Sequence, residues 1–460
     1  MASKQSQPFS VTRQAPELIA PAKPTPHELK RLSDIDDQEG LRFHVPIIFF
    51  FRNNPSSAMK GKNPAKVIRD SLSKALVFYY PFAGRLREGD NRKLLVECNG
   101  EGVLFVEADA NVTLDELGPE IQPPFACLDE LLYVVPGSDG IIGCPLLYIQ
   151  VTRLECGGFI LALRWNHTLT DAYGFTQFLK TMEQMIQGAP TPSTIPVWQR
   201  DLLSARNPPR ITRIHHEYEQ FDDSMDSLKN TNPNDLVNKA FFFGPEEITS
   251  LRKKLPPHLK NCSSFELIMA CVWRCRTAAL QLDPNQIVRL SCLISVLNKR
   301  YNFHLPEGYY GNAFALPAAR SKAELLCKRG LGYAVELVKS AKAQMSGEYI
   351  QSVADLMEMK GRIKFTSVGN FILSYVKNSG LADVEFGWGK AVYGGPTGAV
   401  SSMMSFCLEF KNMEGKSGIL LLICLPKSTM ERFQEEMKKM TQVTMEDFYD
   451  INSALKISRL

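Results

Sequence analysis

The longest uninterrupted apolar runs in this chain, around Val45–Phe51 and Gly418–Leu425, are strand-sized. None approaches the ~18 residues of a membrane-spanning helix. Such a chain must bury its apolar residues in sheets and amphipathic helices, and no membrane insertion is expected. Pro64–Tyr80 carries Val67, Ile68, Leu72, Leu76 and Val77 at the 3.6-residue period of a one-sided helix. Leu94–Val106 and Leu146–Leu163 read as strands. Glu155-Cys156-Gly157-Gly158 reads as the turn of an antiparallel hairpin inside the second. A charged amphipathic helix is predicted over Met430–Met440.

With 460 residues the chain is long enough for two to three domains of ~100–200 residues each. Pro8, Pro16, Pro21, Pro24 and Pro26 predict an extended N-terminal arm. Ala189–Asn234 is rich in proline (190, 192, 196, 208, 209 and 233), and a stretch of this kind is either a linker or a functional loop. It is placed as the domain crossover. The expected division is residues 1–195, a crossover over 196–234, and residues 235–460. Strands and helices alternate in both halves, so the fold class is α/β.

Lys plus Arg number 53 against 49 Asp plus Glu, a net charge of +4. That excess is small and scattered, so no nucleic-acid partner is expected. The 11 cysteines form no CxxC pair, and Cys271 and Cys275 lie one helical turn apart. They read as reduced, mostly buried thiols, with neither a disulfide framework nor a zinc site. The polar start, Met1-Ala2-Ser3-Lys4-Gln5, argues against a secretory signal. The final Ser458-Arg459-Leu460 is a conservative variant of the Ser-Lys-Leu address. It predicts a peroxisomal import receptor as partner and a peroxisomal location, with the cytoplasm as the alternative.

The sharpest site is Arg164-Trp165-Asn166-His167-Thr168-Leu169-Thr170-Asp171-Ala172-Tyr173-Gly174. A strand over Phe159–Asn166 ends at His167. Phe175, Phe178, Leu179, Met182 and Ile186 then have helical spacing, and Gly188 stops the helix. Thr170 or Asp171 would cap it. A short strand-to-helix turn projects an imidazole from a rigid scaffold, and a pKa of ~6.5 suits general-base work. The same pattern also describes a hydrogen-bonded structural histidine, or half a metal site. No Cys/His/Asp cluster completes such a site, so no metal is expected. His215-His216 adjoins the crossover and is expected to be solvated.

The segment Asn166–Gly174 resembles the HxxxD signature of the plant BAHD acyl-CoA-dependent acyltransferases. Glu385-Phe386-Gly387-Trp388-Gly389-Lys390 resembles their DFGWG signature. Leu32-Ser33-Asp34-Ile35-Asp36-Asp37, Tyr80–Leu86 and Gly308-Tyr309-Tyr310-Gly311-Asn312 recur in the family's order. Pro16–Ala22, Gly84–Gly89 and Lys390–Gly395 look closest to the group with benzyl alcohol O-benzoyltransferases and fruit ester-forming enzymes.

The resemblance implies a monomer of two similar-sized, mixed-sheet domains of the chloramphenicol-acetyltransferase-like type, with a solvent channel between them. His167 would take the proton of an alcohol as it attacks an acyl-CoA thioester, and Asp171 would brace the turn. Acyl-CoA is a co-substrate, with no prosthetic group or metal. Benzoyl transfer from benzoyl-CoA to benzyl alcohol is the leading expectation. Aroyl transfer to a bulkier alkaloid or terpenoid alcohol, acetyl transfer to a volatile alcohol, and a non-catalytic acyl-CoA binder are the rivals.

Ser263 and Glu266 form a capping box opening an apolar helix, which is either an anion-binding end or only a capped buried helix. The resemblance puts Ser263, Ser264, Gly311, Asn312 and Arg300 on the CoA side. It makes Phe386, Gly387, Trp388 and Gly389 packing and turn residues, with Glu385 in place of the usual aspartate.

Two further departures stand out. The family's first arginine of an Asn-x-Arg-x-Arg run is replaced by Asn298, so Asp171 loses its usual partner, with Lys299, Asn298 or backbone groups as substitutes. Trp165 replaces an aliphatic residue. Strand alternation puts it on the face of His167, so it is expected in the acceptor pocket. Ser374 or Tyr375 would serve the oxyanion or the acceptor, or simply pack in a strand.

Overall fold

The computed structural model describes residues 9–442, apart from 126, 139, 222–227, 229–230, 298–300, 302, 364 and 377–378. Asn298, Lys299, Arg300 and the tripeptide Ser458-Arg459-Leu460 lie outside the described residues.

The expected hairpin forms as Leu147–Leu154 and Phe159–Asn166, antiparallel, with Leu147 opposite Trp165. Its sheet runs, in spatial order, Val11–Arg13, Val103–Ala110, Leu147–Leu154, Phe159–Asn166, His44–Phe51 and Tyr393–Pro396. Only the pairing of Val103–Ala110 with Leu147–Leu154 is parallel along that row. The second sheet runs Leu236–Phe243, Ser417–Pro426, Met404–Lys411, Asn370–Tyr375, Ile287–Cys292 and Ala318–Lys322. The pairings of Asn370–Tyr375 with its two neighbours are parallel and the other three antiparallel. The architecture is therefore α/β with two mixed sheets.

Alternation along the strands sorts side chains between two cores. Ile47, Phe49 and Phe51 join Phe159, Leu161, Leu163 and Trp165 under the helices Pro64–Ala75 and Ala172–Ile186. Ile48, Phe50, Ile160 and Ala162 face the other way, onto Phe406, Leu408, Leu420 and Leu422 of the second sheet. The second sheet's far face packs on Ser264–Leu280, Leu331–Ala343 and Lys427–Thr441.

A cut at residues 196–234 does not separate the two sheets. Tyr393–Pro396 completes the edge of the first one, and Leu381, Val384, Phe386 and Trp388 fill its core. The crossover is not a solvated linker. Arg200 is buried within it, and Val197 N donates to Gly308 O at 2.8 Å.

His215-His216 also departs from expectation. His215 is buried, with Nε2 at 2.9 Å from Ser352 Oγ and Nδ1 at 3.3 Å from Glu217 Oε1. His216 is half-buried against Glu219. The polar groups of helix Gly347–Lys360 latch this stretch down. The cysteines are free thiols, and seven are buried, including Cys271 and Cys275.

Candidate active site

The strand Phe159–Asn166 ends on the ladder, and His167 N extends it by donating to Phe43 O at 2.9 Å. The chain then turns, and Asp171 caps the helix Ala172–Ile186. Asp171 Oδ1 accepts from the N–H groups of Tyr173 and Gly174 at 3.0 Å each. Oδ2 accepts from Ala313 N at 3.1 Å. These three backbone donors hold the carboxylate, and among the described residues no cation pairs with it. Burial raises Asp171 to about 6, against the pull of those three N–H groups.

His167 is buried in the wall of a cavity of about 400 Å³. Phe43 and Phe314 flank the imidazole, with ring centroids 5.5 and 5.9 Å away. Leu41, Leu316, Phe365, Ile372, Met403 and Met404 complete a mostly apolar lining drawn from both halves of the chain. Burial pushes the ring below its ordinary pKa of 6.5, opposed by its own carbonyl, the Asn312 side chain and the Asp36 charge. His167 Nδ1 is sealed from solvent and has no hydrogen-bond partner.

Beneath the turn lies a buried network that sequence reasoning missed. Asn312 Nδ2 donates to His167 O and to Asp36 Oδ1, both at 2.8 Å. Asp36 Oδ1 also accepts from Asn312 N at 2.9 Å and from Arg200 Nη1 at 3.3 Å. Arg200 Nη2 donates to Leu169 O at 2.8 Å. Asn312 is fully buried, so it holds the turn and is not a CoA contact. Gly311 is not one either. A Cβ there would lie 1.3 Å from Arg200 Nη1, so the glycine exists to admit the guanidinium. The signal was present in Leu32–Asp37, where Asp34, Asp36 and Asp37 all proved buried and paired.

Trp165 is in the helix-side core and not in the cavity. It stacks on Phe175 at 4.2 Å, and its Nε1 donates to Thr170 O at 3.1 Å. The alternation argument failed because the strand stops at Asn166; His167 belongs to the turn and points independently of the pleat. Tyr375 likewise turns away, stacking on Phe265 at 4.5 Å. Ser374 shares a strand face with Ile372, which lines the cavity, and so faces the gap between the sheets.

Tyr375, Ser263 and Ser264 instead line a separate groove of about 1000 Å³, together with Lys390 and Lys411. The capping box is formed: Glu266 N donates to Ser263 Oγ at 3.2 Å and Ser263 N to Glu266 Oε2 at 2.9 Å. Glu385-Phe386-Gly387-Trp388-Gly389 forms a turn with positive φ at Phe386, Gly387 and Gly389. Phe386 and Trp388 pack edge-on against Phe51 and Phe159. No group of three or more His, Cys, Asp or Glu among the described residues could hold a metal ion.

A family model described as the Transferase family matches residues 9–440. The chain belongs to this family, the BAHD acyltransferases. It is 56% identical over 446 residues to a benzyl alcohol O-benzoyltransferase of Petunia hybrida, covering 96% of each chain. It is 56% identical over 440 residues to alcohol acyl transferase 1, allele GSa, of Malus domestica, covering 95% of each. The crystal structure of vinorine synthase superposes with a TM-score of 0.72 at 22% identity, over 94% of this chain and 99% of that one. This BAHD protein is an acyl-CoA-dependent O-acyltransferase that uses acyl-CoA as co-substrate.

Proposed function

We propose that this acyltransferase moves an aroyl group, benzoyl foremost, from its CoA thioester to a small apolar alcohol such as benzyl alcohol. The observation that carries the reading is a mostly apolar cavity of about 400 Å³ with His167 in its wall. That volume is in the range of small-molecule sites (~300–1,000 Å³) and offers few polar partners to a sugar or an amino acid. The names of the Petunia and Malus relatives support the same class.

Burial lowers the imidazole below its ordinary pKa of 6.5, which favours the neutral ring. Asn312 Oδ1 is also buried without a partner, on a side chain already bonded to the His167 carbonyl. A ring protonated on Nδ1 and turned to that oxygen presents Nε2 as the base. The alcohol gives its proton to Nε2 as its oxygen bonds to the thioester carbonyl carbon. The tetrahedral oxyanion collapses, the C–S bond breaks, and the imidazolium returns the proton to the departing thiolate. Ser374 is the hydroxyl we place near the oxyanion. A positioned base supplies ~10²–10⁴ in rate, so orientation and oxyanion binding supply the remainder. Asp171 fixes the turn through backbone N–H groups and touches no reacting atom.

We place the CoA chain in the groove lined by Ser263, Ser264, Lys390 and Lys411. Val376 and Leu408 there lie four residues along the chain from Ile372 and Met404 of the cavity. At strand rise that is about 13 Å, a gap for a thin flexible arm to thread. The Ser458-Arg459-Leu460 ending supports a peroxisomal destination, and the chain is taken to act as a monomer. The test is a matrix of acyl-CoAs against alcohols, read as thiol release by purified protein. Benzoyl-CoA with benzyl alcohol should rank among the best pairs by kcat/KM. A preference for polyols or amines would overturn the reading. Removing the tripeptide should send a tagged protein to the cytosol.

A further inference from the structure

The cavity lined by His167 has one wall unlike the others. Phe43 and Phe314 touch the imidazole and therefore border the reacting atoms. Phe365 lines the same cavity, yet it is not among the rings packed edge-on or tilted near His167, which are Phe43, Trp165 and Phe314. It bounds the space away from the base. It stands on the irregular segment between helix Gly347–Lys360 and strand Asn370–Tyr375.

Two neighbours fix this ring. Behind it lies Tyr218, stacked at 4.8 Å with 29° between the planes. Tyr218 is buried and anchored, because its hydroxyl donates to Gln38 Oε1 at 2.5 Å. Beside it lies Gly40, on the short turn Glu39–Leu41. A Cβ on Gly40 would come within 2.5 Å of Phe365 Cδ2 and 2.8 Å of Cε2. The ring therefore rests on bare backbone. Gly40 itself lines the cavity, so the contact between the two halves of the chain is part of the cavity wall.

We infer that Phe365, seated on Gly40 and backed by Tyr218, is a specificity-determining residue that sets how long an apolar substrate group the cavity admits. A stop of this kind acts by exclusion. Groups that reach the ring are rejected, and shorter ones are indifferent to it. Because Tyr218 stands immediately behind, removing the Phe365 ring adds only about one ring's depth. The gain should appear for substrates one to three carbons longer than the best one and level off beyond. One methylene in an apolar pocket is worth ~10–200-fold in discrimination. This rests on the acyltransfer reading above.

The test uses the full-length protein, Phe365→Ala, Phe365→Leu, Gly40→Ala and the Gly40→Ala/Phe365→Ala double variant. Each is assayed with benzoyl-CoA and benzyl alcohol, 2-phenylethanol or 3-phenylpropanol, and with acetyl-CoA and the same alcohols. For Phe365→Ala we expect kcat/KM for a longer substrate, relative to a shorter one, to rise about tenfold or more in the alcohol or acyl series. Phe365→Leu, which keeps most of the packing, should shift the same ratio less and in the same direction. Gly40→Ala should displace the ring and change the ratio in the otherwise native protein. In the Phe365→Ala background that change should vanish, because the partner of the clash is gone. Ratios within twofold of native in active Phe365→Ala and Phe365→Leu proteins would overturn the assignment while leaving acyl transfer intact. A Gly40→Ala effect that persists undiminished in the double variant would overturn the contact. A native protein inactive with every pair would overturn the underlying reading as well.

Discussion

His167 and His215 are 7% and 8% exposed, so burial alone does not separate them. Their surroundings do. His215 has both ring nitrogens engaged, by Ser352 Oγ and Glu217 Oε1, an order of groups that looks like a nucleophile, a base and an orienting acid. Ser352 Oγ, however, also accepts from Thr212 N at 3.0 Å and Arg213 N at 3.1 Å. Glu217 is occupied by the Tyr349 hydroxyl, which donates to Oε1 at 2.8 Å and Oε2 at 2.9 Å. Every polar valence there is spent on holding the crossover to a helix. His167 has the opposite arrangement: its backbone is tied at N–H and C=O, while its Nδ1 has no hydrogen-bond partner and its ring borders the cavity. A reactive group is recognised by what its side chain leaves free and by an open space beside it, more than by its partners.

The largest way to break this contrast is His167→Ala. It should lower kcat by ~10²–10⁴ with the melting temperature little changed, measured by thiol release and thermal unfolding. A variant with kcat near native would remove His167 from the chemistry.

Glu217→Ala should do the reverse. It strands the Tyr349 hydroxyl and His215 Nδ1, and should cost ~1–3 kcal/mol of stability by denaturant titration. Activity per folded molecule should stay within a few-fold. Gly311→Ala tests whether the scaffold under His167 transmits to the ring. Its Cβ must displace Arg200 from Leu169 O, which should cost ~1–3 kcal/mol through overpacking and also lower kcat more than it raises KM.

The pH profile sharpens the contrast further. Since burial lowers His167 below 6.5, the neutral base persists as the solution is acidified through that value. The acid limb of kcat/KM should therefore fall at a pH below 6.5, and a limb above it would contradict the burial argument. Asp171 acts in the other direction on stability. Its folded pKa, about 6, lies above the ordinary 3.8, so its contribution is fully present below 3.8 and is lost as pH rises through 6. The smallest expected effect is Trp165→Phe. It loses one hydrogen bond to Thr170 O, worth ~1 kcal/mol, and should leave alcohol preference unchanged because the indole is outside the cavity.

Much of the fold was legible in the chain because it is written locally. The hairpin turn at Glu155–Gly158, the helix capped by Asp171 and the capping box at Ser263 depend on neighbours within a few residues, and they form where expected. Backbone support for Asp171 was among the alternatives. The errors came where a side chain's direction depends on distant partners. Trp165 was sent to the wrong face by extending a strand rule one residue past the strand. Gly311 and Asn312 were assigned to CoA, because a sequence motif cannot show that Arg200, over a hundred positions away, fills the space at Gly311. His215 was read as solvated, because proline-rich surroundings give no hint of Ser352 and Glu217.

The order of residues by itself determined the alternating elements, the strand-to-helix turn that carries His167, and membership of an acyltransferase family. These follow from periodicity, capping and motif spacing, which need no third dimension. Tertiary structure alone decided that His167 borders an open cavity, that Asp36 and Arg200 prop its turn, and that Phe365 packs on Gly40 in the cavity wall. Those facts join residues tens to hundreds of positions apart. Only the packing of two sheets face to face, each burying one side against helices, brings them together.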